Sequence, residues 1–447
     1  MKVLLTQSPS LENRTIGPPN GLCYMASILE KKGHQVRIID SILKKYHIEN
    51  ILNEIELFKP EVVGISTVTQ FLDGAIKICD LIKYKYPKIL TILGGCHPSF
   101  LYNEILLNNI NVDIIVRGEG EITLEKILHN YSTSNLFNIK GISFRYNGRI
   151  INNEQRELIN DLDEIPLPAY HLLDMNNYKI SDRFFDIGLI GNQGDNYCTI
   201  ITARGCPYNC IFCMDRIINN GIRRERSPEN IIREIKLLVN NYNIKIIDFI
   251  DPVFTINKNW TKEICNLILK ENINFSWICT TRVDLIDEEI IKLMKEAGCK
   301  IIFFGMESGI QMNLDFLNKN FKTHDIIDAV NIVKKFGVKV AGSFIIGIPG
   351  ETKKMIFKTI LFAKRLNLDN ARFPILIPFP GTDLYKFLDK NNLMNSNDIK
   401  KMNYSNSIIK LSNISSIELK ILQFFAGIIT DFKLKSLFNI LKSPYKK

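Results

Sequence analysis

Three cysteines form a C-x3-C-x2-C array, Cys206, Cys210 and Cys213, in the run Thr-Ala-Arg-Gly-Cys-Pro-Tyr-Asn-Cys-Ile-Phe-Cys. Three thiolates on one short loop can hold three irons of a four-iron cluster and leave the fourth iron open to a ligand that is not protein. Such clusters are held by Cys thiolates, and their potentials reach low enough for demanding one-electron reductions. A structural zinc site built on the same cysteines would need a fourth ligand. No His or Cys follows closely, and Cys198 is the nearest candidate.

The array, with Phe212 before its last Cys, resembles the signature of radical S-adenosylmethionine (SAM) enzymes. The resemblance implies a [4Fe-4S] cluster whose open iron is chelated by the amino and carboxylate groups of SAM, with Phe212 beside it. Four further segments agree with it. Asp248-Phe-Ile-Asp-Pro-Val-Phe254 resembles an acidic segment of cobalamin-dependent relatives, where Asp251 would receive the SAM ammonium group; a helix cap or packing residue is the alternative. In Thr280-Thr-Arg-Val-Asp284, Arg282 either forks onto the SAM carboxylate or pairs with Asp284. In Gly305-Met-Glu-Ser-Gly309, Glu307 matches the family's acceptor for ribose hydroxyls; otherwise it is a satisfied buried carboxylate. In Gly347-Ile-Pro-Gly-Glu-Thr352, Gly347 and Ile348 match a turn near the adenine, and an ordinary βα turn is the alternative. Pro378-Phe-Pro-Gly-Thr382 resembles a turn that shapes the substrate pocket.

These segments fall where strands should end. The pattern predicts strands at Cys198–Ala203, Ile244–Ile250, Phe275–Thr280, Lys300–Met306, Lys339–Ile346 and Ala371–Ile377. Helices are expected between them, at Ile231–Asn240, Glu288–Ala297, Ile326–Phe336 and Lys354–Leu366. Six β/α units predict an open partial (β/α)6 barrel with the Cys loop after its first strand. Barrel active sites lie at the carboxyl ends of the strands.

The first 130 residues alternate in the same way, with strands expected at Val3–Leu5, Gln35–Ile39, Val62–Ser66, Ile89–Leu93 and Ile114–Val116, and helices such as Gly21–Lys32 and Leu72–Lys85. That alternation predicts a parallel, doubly wound sheet. The strand ends carry Ser66-Thr-Val-Thr69, Gly94-Gly-Cys-His-Pro98 and Gly118-Glu-Gly-Glu121. Glycine lets a bulky ligand approach the backbone. Together with Gly17-Pro-Pro-Asn-Gly-Leu22, these turns resemble the cobalamin-binding domain that precedes many radical SAM enzymes. The resemblance implies cobalamin contacts from Pro19, Ser66, Thr67, Thr69, Gly94, Gly95, His97, Gly118, Glu119 and Gly120. It departs from the cobalamin mutases at the first loop, where Ser8–Arg14 contains no His. Cobalt would then have no lower His ligand from that loop. The alternative is a nucleotide-binding or purely structural Rossmann-like domain, although no G-x-G-x-x-G follows the first strand.

The expected organisation is α/β: a Rossmann-like cobalamin domain at 1–135, a linker at 136–195, a radical SAM partial barrel at 196–390 and a small helical region at 391–447. That last region is amphipathic and basic, with Ile421, Leu422, Phe424, Phe425, Ile428 and Ile429 followed by Lys433, Lys435 and Lys442. It is expected to pack at the barrel mouth; a membrane-surface helix is the alternative. A net charge of +10, without an arginine stripe, gives no sign of nucleic-acid binding. Ten cysteines in 447 residues do not suggest a disulfide framework. The opening residues lack a signal-peptide pattern, and no run of about 18 apolar residues suggests a transmembrane helix. A reducing, cytoplasmic setting is expected.

The implied reaction is reductive cleavage of SAM to a 5′-deoxyadenosyl radical, used to methylate an unactivated carbon through methylcobalamin. The substrate would be a small molecule or peptide natural product, and the electron donor a flavodoxin or ferredoxin. The alternatives are ring formation or oxidation without methyl transfer, as in anaerobic tetrapyrrole cyclases, and a non-enzymatic corrinoid or Fe–S sensor.

Overall fold

A computed structural model describes residues 1–9, 17–131, 135–180, 190–192, 194–394 and 414–430. The chain divides into two compact units. Met1–Phe184, Gln193–Gly205 and Ile218–Ile247 form the first; Phe185–Asn192, Cys206–Ile217 and Asp248–Lys447 form the second.

The first unit contains strands β1 (Lys2–Gln7), β2 (Gln35–Ile39), β3 (Val62–Ser66), β4 (Leu90–Gly94) and β5 (Ile114–Val116). Helices α1 (Asn20–Lys31), α2 (Ile48–Phe58), α3 (Leu72–Lys85), α4 (Cys96–Asn108) and α5 (Glu121–Tyr131) alternate with them. Side chains alternate faces along a strand, so Val3 and Leu5 join a core with Leu22, Leu29 and Ile127, while Leu4 joins Ile51, Ile55 and Ile78 in another. Burial on both faces explains the apolar runs, as parallel sheets require. The parallel strands lie in the order β2-β1-β3-β4-β5. The order reverses at β1/β3, and such a switch point opens a ligand crevice at the carboxyl ends.

The segment 136–195, expected as a linker, instead carries two strands, β6 (Ile142–Tyr146) and β7 (Arg149–Asn152). They extend the sheet, β6 antiparallel to β5 and β7 antiparallel to β6. Asn147 and Gly148 both sit at positive φ, 48° and 75°, as a two-residue hairpin turn requires. The unit also contains β8 (Tyr197–Ile200), the short β9 (Ala203–Arg204) and β10 (Arg224–Glu225).

The short α6 (Asp215–Ile218) follows the Cys loop, and α7 (Pro228–Tyr242) starts at a Ser227 cap. The strand β11 (Ile246–Phe249) leads into the second unit, which contains β12 (Ser276–Thr281), β13 (Cys299–Glu307), β14 (Lys339–Phe344) and β15 (Asn370–Arg372). These last four pair in sequence, each parallel to the next. The helix α8 (Lys258–Lys270) precedes β12, and α9 (Glu288–Glu296), α10 (Gln311–Phe316), α11 (Thr323–Lys335) and α12 (Lys353–Leu366) separate the four strands. Side-chain caps start α9 at Asp287 and α12 at Thr352, each satisfying an orphan N–H. The sixth strand is shorter than expected: Pro374 has no N–H to donate, and only an isolated Ile346–Ile375 bridge continues beyond β15.

After α13 (Asp383–Lys390), α14 (Ser416–Thr430) packs along α12, and its Leu419 lies against the Gly347 turn. Ile417, Ile421, Phe424 and Phe425 of α14 are exposed. Lys433, Lys435 and Lys442 lie outside the described residues. Among the described residues, no helix is long and apolar enough to cross a membrane.

Candidate active site

At the carboxyl ends of the first unit's parallel strands lies a cavity of about 220 Å³. Ser66, Gly94, Gly95, Gly118, Glu119 and Gly120 line it, as does Gly21. Four residues of the expected cobalamin set lie outside this lining. Pro19 precedes α1; the Thr67 N–H bonds Gly94 O at 3.0 Å; the Thr69 hydroxyl meets Nδ1 of buried His97 at 3.1 Å. Gly95 turns at φ 107°, and a Cβ there would stand 2.3 Å from Thr67 O. A Cβ on Gly21 or Gly118 would meet nothing within 4 Å. The strand ends thus form a glycine cradle open to a bulky group. Pockets that hold a whole drug-sized ligand span about 300–1,000 Å³, so this cavity fits one portion of a corrinoid.

The rim of the cavity is charged but internally matched. Glu119 Oε1 accepts from Arg204 at 2.7 Å and from Arg224 at 3.0 Å, and its Oε2 accepts the Ile159 N–H at 2.7 Å. Burial works against this charge, yet Arg204 and the Ile159 N–H hold the Glu119 carboxyl below its ordinary value. The loop Ser8–Arg14, notable for lacking a His, is described only at Ser8 and Pro9.

In the second unit, Cys206 is buried, and Cys210 and Cys213 are half-buried. Burial raises the Cys206 thiol and pushes Cys213 up to about 11, so metal binding would displace the protons of these two thiols. A four-iron cluster takes each thiolate at a separate iron, and three cysteines within eight residues supply that donor set. Cys198, the nearest fourth candidate, is wholly buried in the first unit, and burial holds its thiol protonated.

The Cys loop is held by the turn at 317–318. Ile211 N–H donates to Leu317 O at 3.3 Å, and Asn318 Nδ2 donates to Asn209 O at 2.8 Å. Phe212 packs in an apolar cluster that includes Ile348, Leu317 and Phe379. Beside it, Glu307 ends β13 in the left-handed region at φ 61°, where the β13–β14 register shifts. Strained non-glycine residues of this kind persist where surrounding structure fixes them. Its Oε1 accepts from Lys319 Nζ at 3.0 Å. Lys319 is buried; burial opposes its charge, but Glu307 and Cys210 hold its pKa above that of an ordinary lysine.

Arg282 is also buried, but in the geometry of the alternative reading. Its Nε and Nη2 fork onto Asp284, both at 2.9 Å, Nη2 also reaches Lys319 O at 2.6 Å, and the guanidinium lies 3.6 Å from the Tyr208 ring centroid. Its Nη1 is buried without a partner among the described residues. Asp251 is buried and engaged.

Sequence reasoning missed Lys319 and Glu351. No motif announces Lys319, although Asn318 and Asn320 flank it at φ 58° and 56° and present it on a tight turn. Glu351 belongs to the quoted Gly347 turn and braces it. Its Oε2 accepts from Gly347 N–H at 2.8 Å and Ile348 N–H at 3.2 Å, and its Oε1 accepts from Asn313 Nδ2 at 2.8 Å. Asn313 also donates to Ser308 Oγ at 3.1 Å, tying this turn to the end of β13.

Comparison with known proteins agrees with both halves. The profile of the B12 binding domain matches residues 12–128, and that of the Radical SAM superfamily matches residues 200–363. An uncharacterized methyltransferase of Pyrococcus horikoshii, PH0819, is 36% identical over 93% of this chain and 89% of its own. Anaerobic magnesium-protoporphyrin IX monomethyl ester cyclase of Rubrivivax gelatinosus is 27% identical over 88% of this chain and 70% of its own. Among solved structures, the cobalamin-dependent SAM radical enzyme OxsB, with aqua-cobalamin and SAM bound, matches 90% of this chain with a TM-score of 0.69 and 21% identity. The present chain spans 56% of OxsB. The radical SAM methyltransferase TsrM from Kitasatospora setae matches 87% of this chain and 76% of its own with a TM-score of 0.70 and 18% identity.

Proposed function

We propose that this chain, which belongs to the radical SAM superfamily and carries a B12-binding domain ahead of its radical SAM domain, methylates an unactivated carbon of a small molecule. One observation carries the reading: a glycine-lined cavity and a C-x3-C-x2-C loop occur on one chain that is 36% identical to an uncharacterized methyltransferase over nearly its whole length. When bound, the cluster and cobalamin supply one-electron cleavage of SAM to a 5′-deoxyadenosyl radical and a transferable methyl group, chemistry that belongs to the cofactors.

The residues of this chain bind and orient. Cys206, Cys210 and Cys213 hold three irons. Lys319 sets a buried cation near Cys210, and Arg282 adds its bare Nη1; together they suit the carboxylate of SAM. Glu307 has Oε1 committed to Lys319, which leaves Oε2 for a ribose hydroxyl. The Glu351-braced turn holds Gly347 and Ile348 for the adenine, and Phe212 with Ile348 excludes water. Asp251 is assigned to the SAM ammonium group. Ser66, Gly94, Gly95, Gly118 and Gly120 take the corrinoid, with Pro19, Thr67, Thr69 and His97 behind or beside them. The first loop, Ser8–Arg14, would offer cobalt no His. A flavodoxin or ferredoxin would supply the electron.

The cyclase relative favours a second reading, ring formation without methyl transfer. Anaerobic turnover with reductant and SAM separates the two. Comparable yields of 5′-deoxyadenosine and S-adenosylhomocysteine support methylation. 5′-Deoxyadenosine alone favours ring or oxidative chemistry, and the absence of both overturns the enzyme reading.

A further inference from the structure

The neck of the Cys loop lies in the first unit. Strand β9 pairs antiparallel with β10, Arg204 opposite Arg224 and Ala203 opposite Glu225. Immediately beyond the pair, Gly205 turns at φ 88°, and a Cβ there would stand 1.9 Å from Ile222 O. Only glycine fits this closure. Residues 206–221, which include all three cysteines, therefore form a loop closed at a two-strand neck.

Both arginines of that neck meet one carboxylate. Glu119 Oε1 accepts from Arg204 Nη1 at 2.7 Å, and both Glu119 oxygens accept from Arg224 Nη1 at 3.0 Å. Arg204 Nη2 donates to Glu121 Oε1 at 2.6 Å. Arg224 donates to Ile159 O at 2.7 Å and, within the loop, to Asn219 Oδ1 at 2.6 Å. The side chains of Glu119 and Arg224 are 7% and 4% exposed, so these pairs are shielded from water. Removing one partner of such a group leaves an uncompensated buried charge. Glu119, Glu121 and Arg204 also line the glycine cavity, whereas Arg224 does not.

We infer that Glu119 is a positioning residue that couples the cavity to the Cys loop. With both oxygens bonded to arginines and a backbone N–H, its carboxylate acts on the loop neck rather than on the ligand. A corrinoid in the cavity bears on Arg204 and Glu119, restricts their movement and so stiffens the neck that closes the cysteine loop. A filled cavity then makes the cluster harder to lose. By linkage, a loaded cluster tightens corrinoid binding by the same factor. This inference rests on the reading above of what the cavity and the cysteines hold.

The test measures iron loss from anaerobically reconstituted full-length protein to a ferrous chelator, with and without hydroxocobalamin, while bound cobalamin is quantified separately. Couplings of this kind typically amount to about 5- to 150-fold in affinity, so at equilibrium wild-type protein should need at least about fivefold more chelator to lose half its iron with cobalamin bound. In Arg224→Lys, which touches the neck and not the cavity, that ratio should fall to about one while cobalamin still binds. Glu119→Gln should lower the ratio as well, with its cobalamin affinity measured alongside because Glu119 also lines the cavity. Equal iron loss with and without bound cobalamin in the wild type, or an unchanged ratio in a folded variant, overturns the coupling. Wild-type protein that binds no cobalamin overturns the reading of the cavity, and the coupling with it.

Discussion

The two units prepare for ligands by opposite means. The first offers shape: glycines at strand ends leave room for a bulky group, and the charges at the rim are matched among Glu119, Glu121, Arg204 and Arg224. The second offers charge: Glu307, Arg282 and Glu351, buried after strand ends, and Lys319, buried on the turn between α10 and α11, leave some capacity unfilled, such as Nη1 of Arg282. A large, mostly apolar ligand is selected by the space it needs. A small zwitterion is selected by fixed countercharges, which act more strongly in a dry site than in water.

The sharpest way to separate the two is Cys210→Ala. It should abolish a full complement of cluster iron and reduce 5′-deoxyadenosine to background, while the protein still binds cobalamin, though more weakly than the cluster-loaded wild type; iron assay and mass spectrometry read the two. Lys319→Met attacks the charged site next. It strands the buried Glu307 carboxylate, so stability should fall by about 3–5 kcal/mol and KM for SAM should rise. Adding Glu307→Gln should restore stability, measured by denaturant unfolding, without restoring SAM affinity.

Glu351 gives a pH signature to the same unit. Burial pushes its carboxyl up to about 7 from an ordinary 4.5, against the pull of its N–H donors. Between those limits the folded chain keeps a proton that the unfolded chain has released. Stability therefore falls as pH rises through the window and levels off above it, by about 3 kcal/mol in all. Thermal melts from pH 4.5 to 8 should show this loss in the wild type and not in Glu351→Gln. The smallest change in stability is expected at the shape-based site. Gly21→Leu puts a side chain into open space on a helix, so stability should rise by about 1 kcal/mol, while cobalamin retention should weaken by about tenfold or more.

The difference between the units also decided what the sequence could reveal. Period and punctuation placed the parallel strands closely, and the helix expected at Leu72–Lys85 ends at those residues. The cysteines and the glycine turns were legible because spacing and residue type are local facts. The β6–β7 hairpin was legible too: Asn147-Gly148 between alternating residues is a strong hairpin signal, passed over because the surrounding segment is polar. Lys319 was not legible, since its partner Glu307 lies across a turn that no motif marks. Glu119 was read from a motif as a ligand residue, but its arginine partners stand 85 and 105 residues away in sequence. Such long-range pairing is set by tertiary packing.

The most direct test of the central claim uses anaerobically reconstituted protein, cob(I)alamin and methyl-deuterated SAM, with mass spectrometry of the bound corrinoid. The account predicts deuterated methylcobalamin retained by the wild type and largely lost from Gly21→Leu. Protein that carries its cluster and cleaves SAM but retains no corrinoid would contradict it.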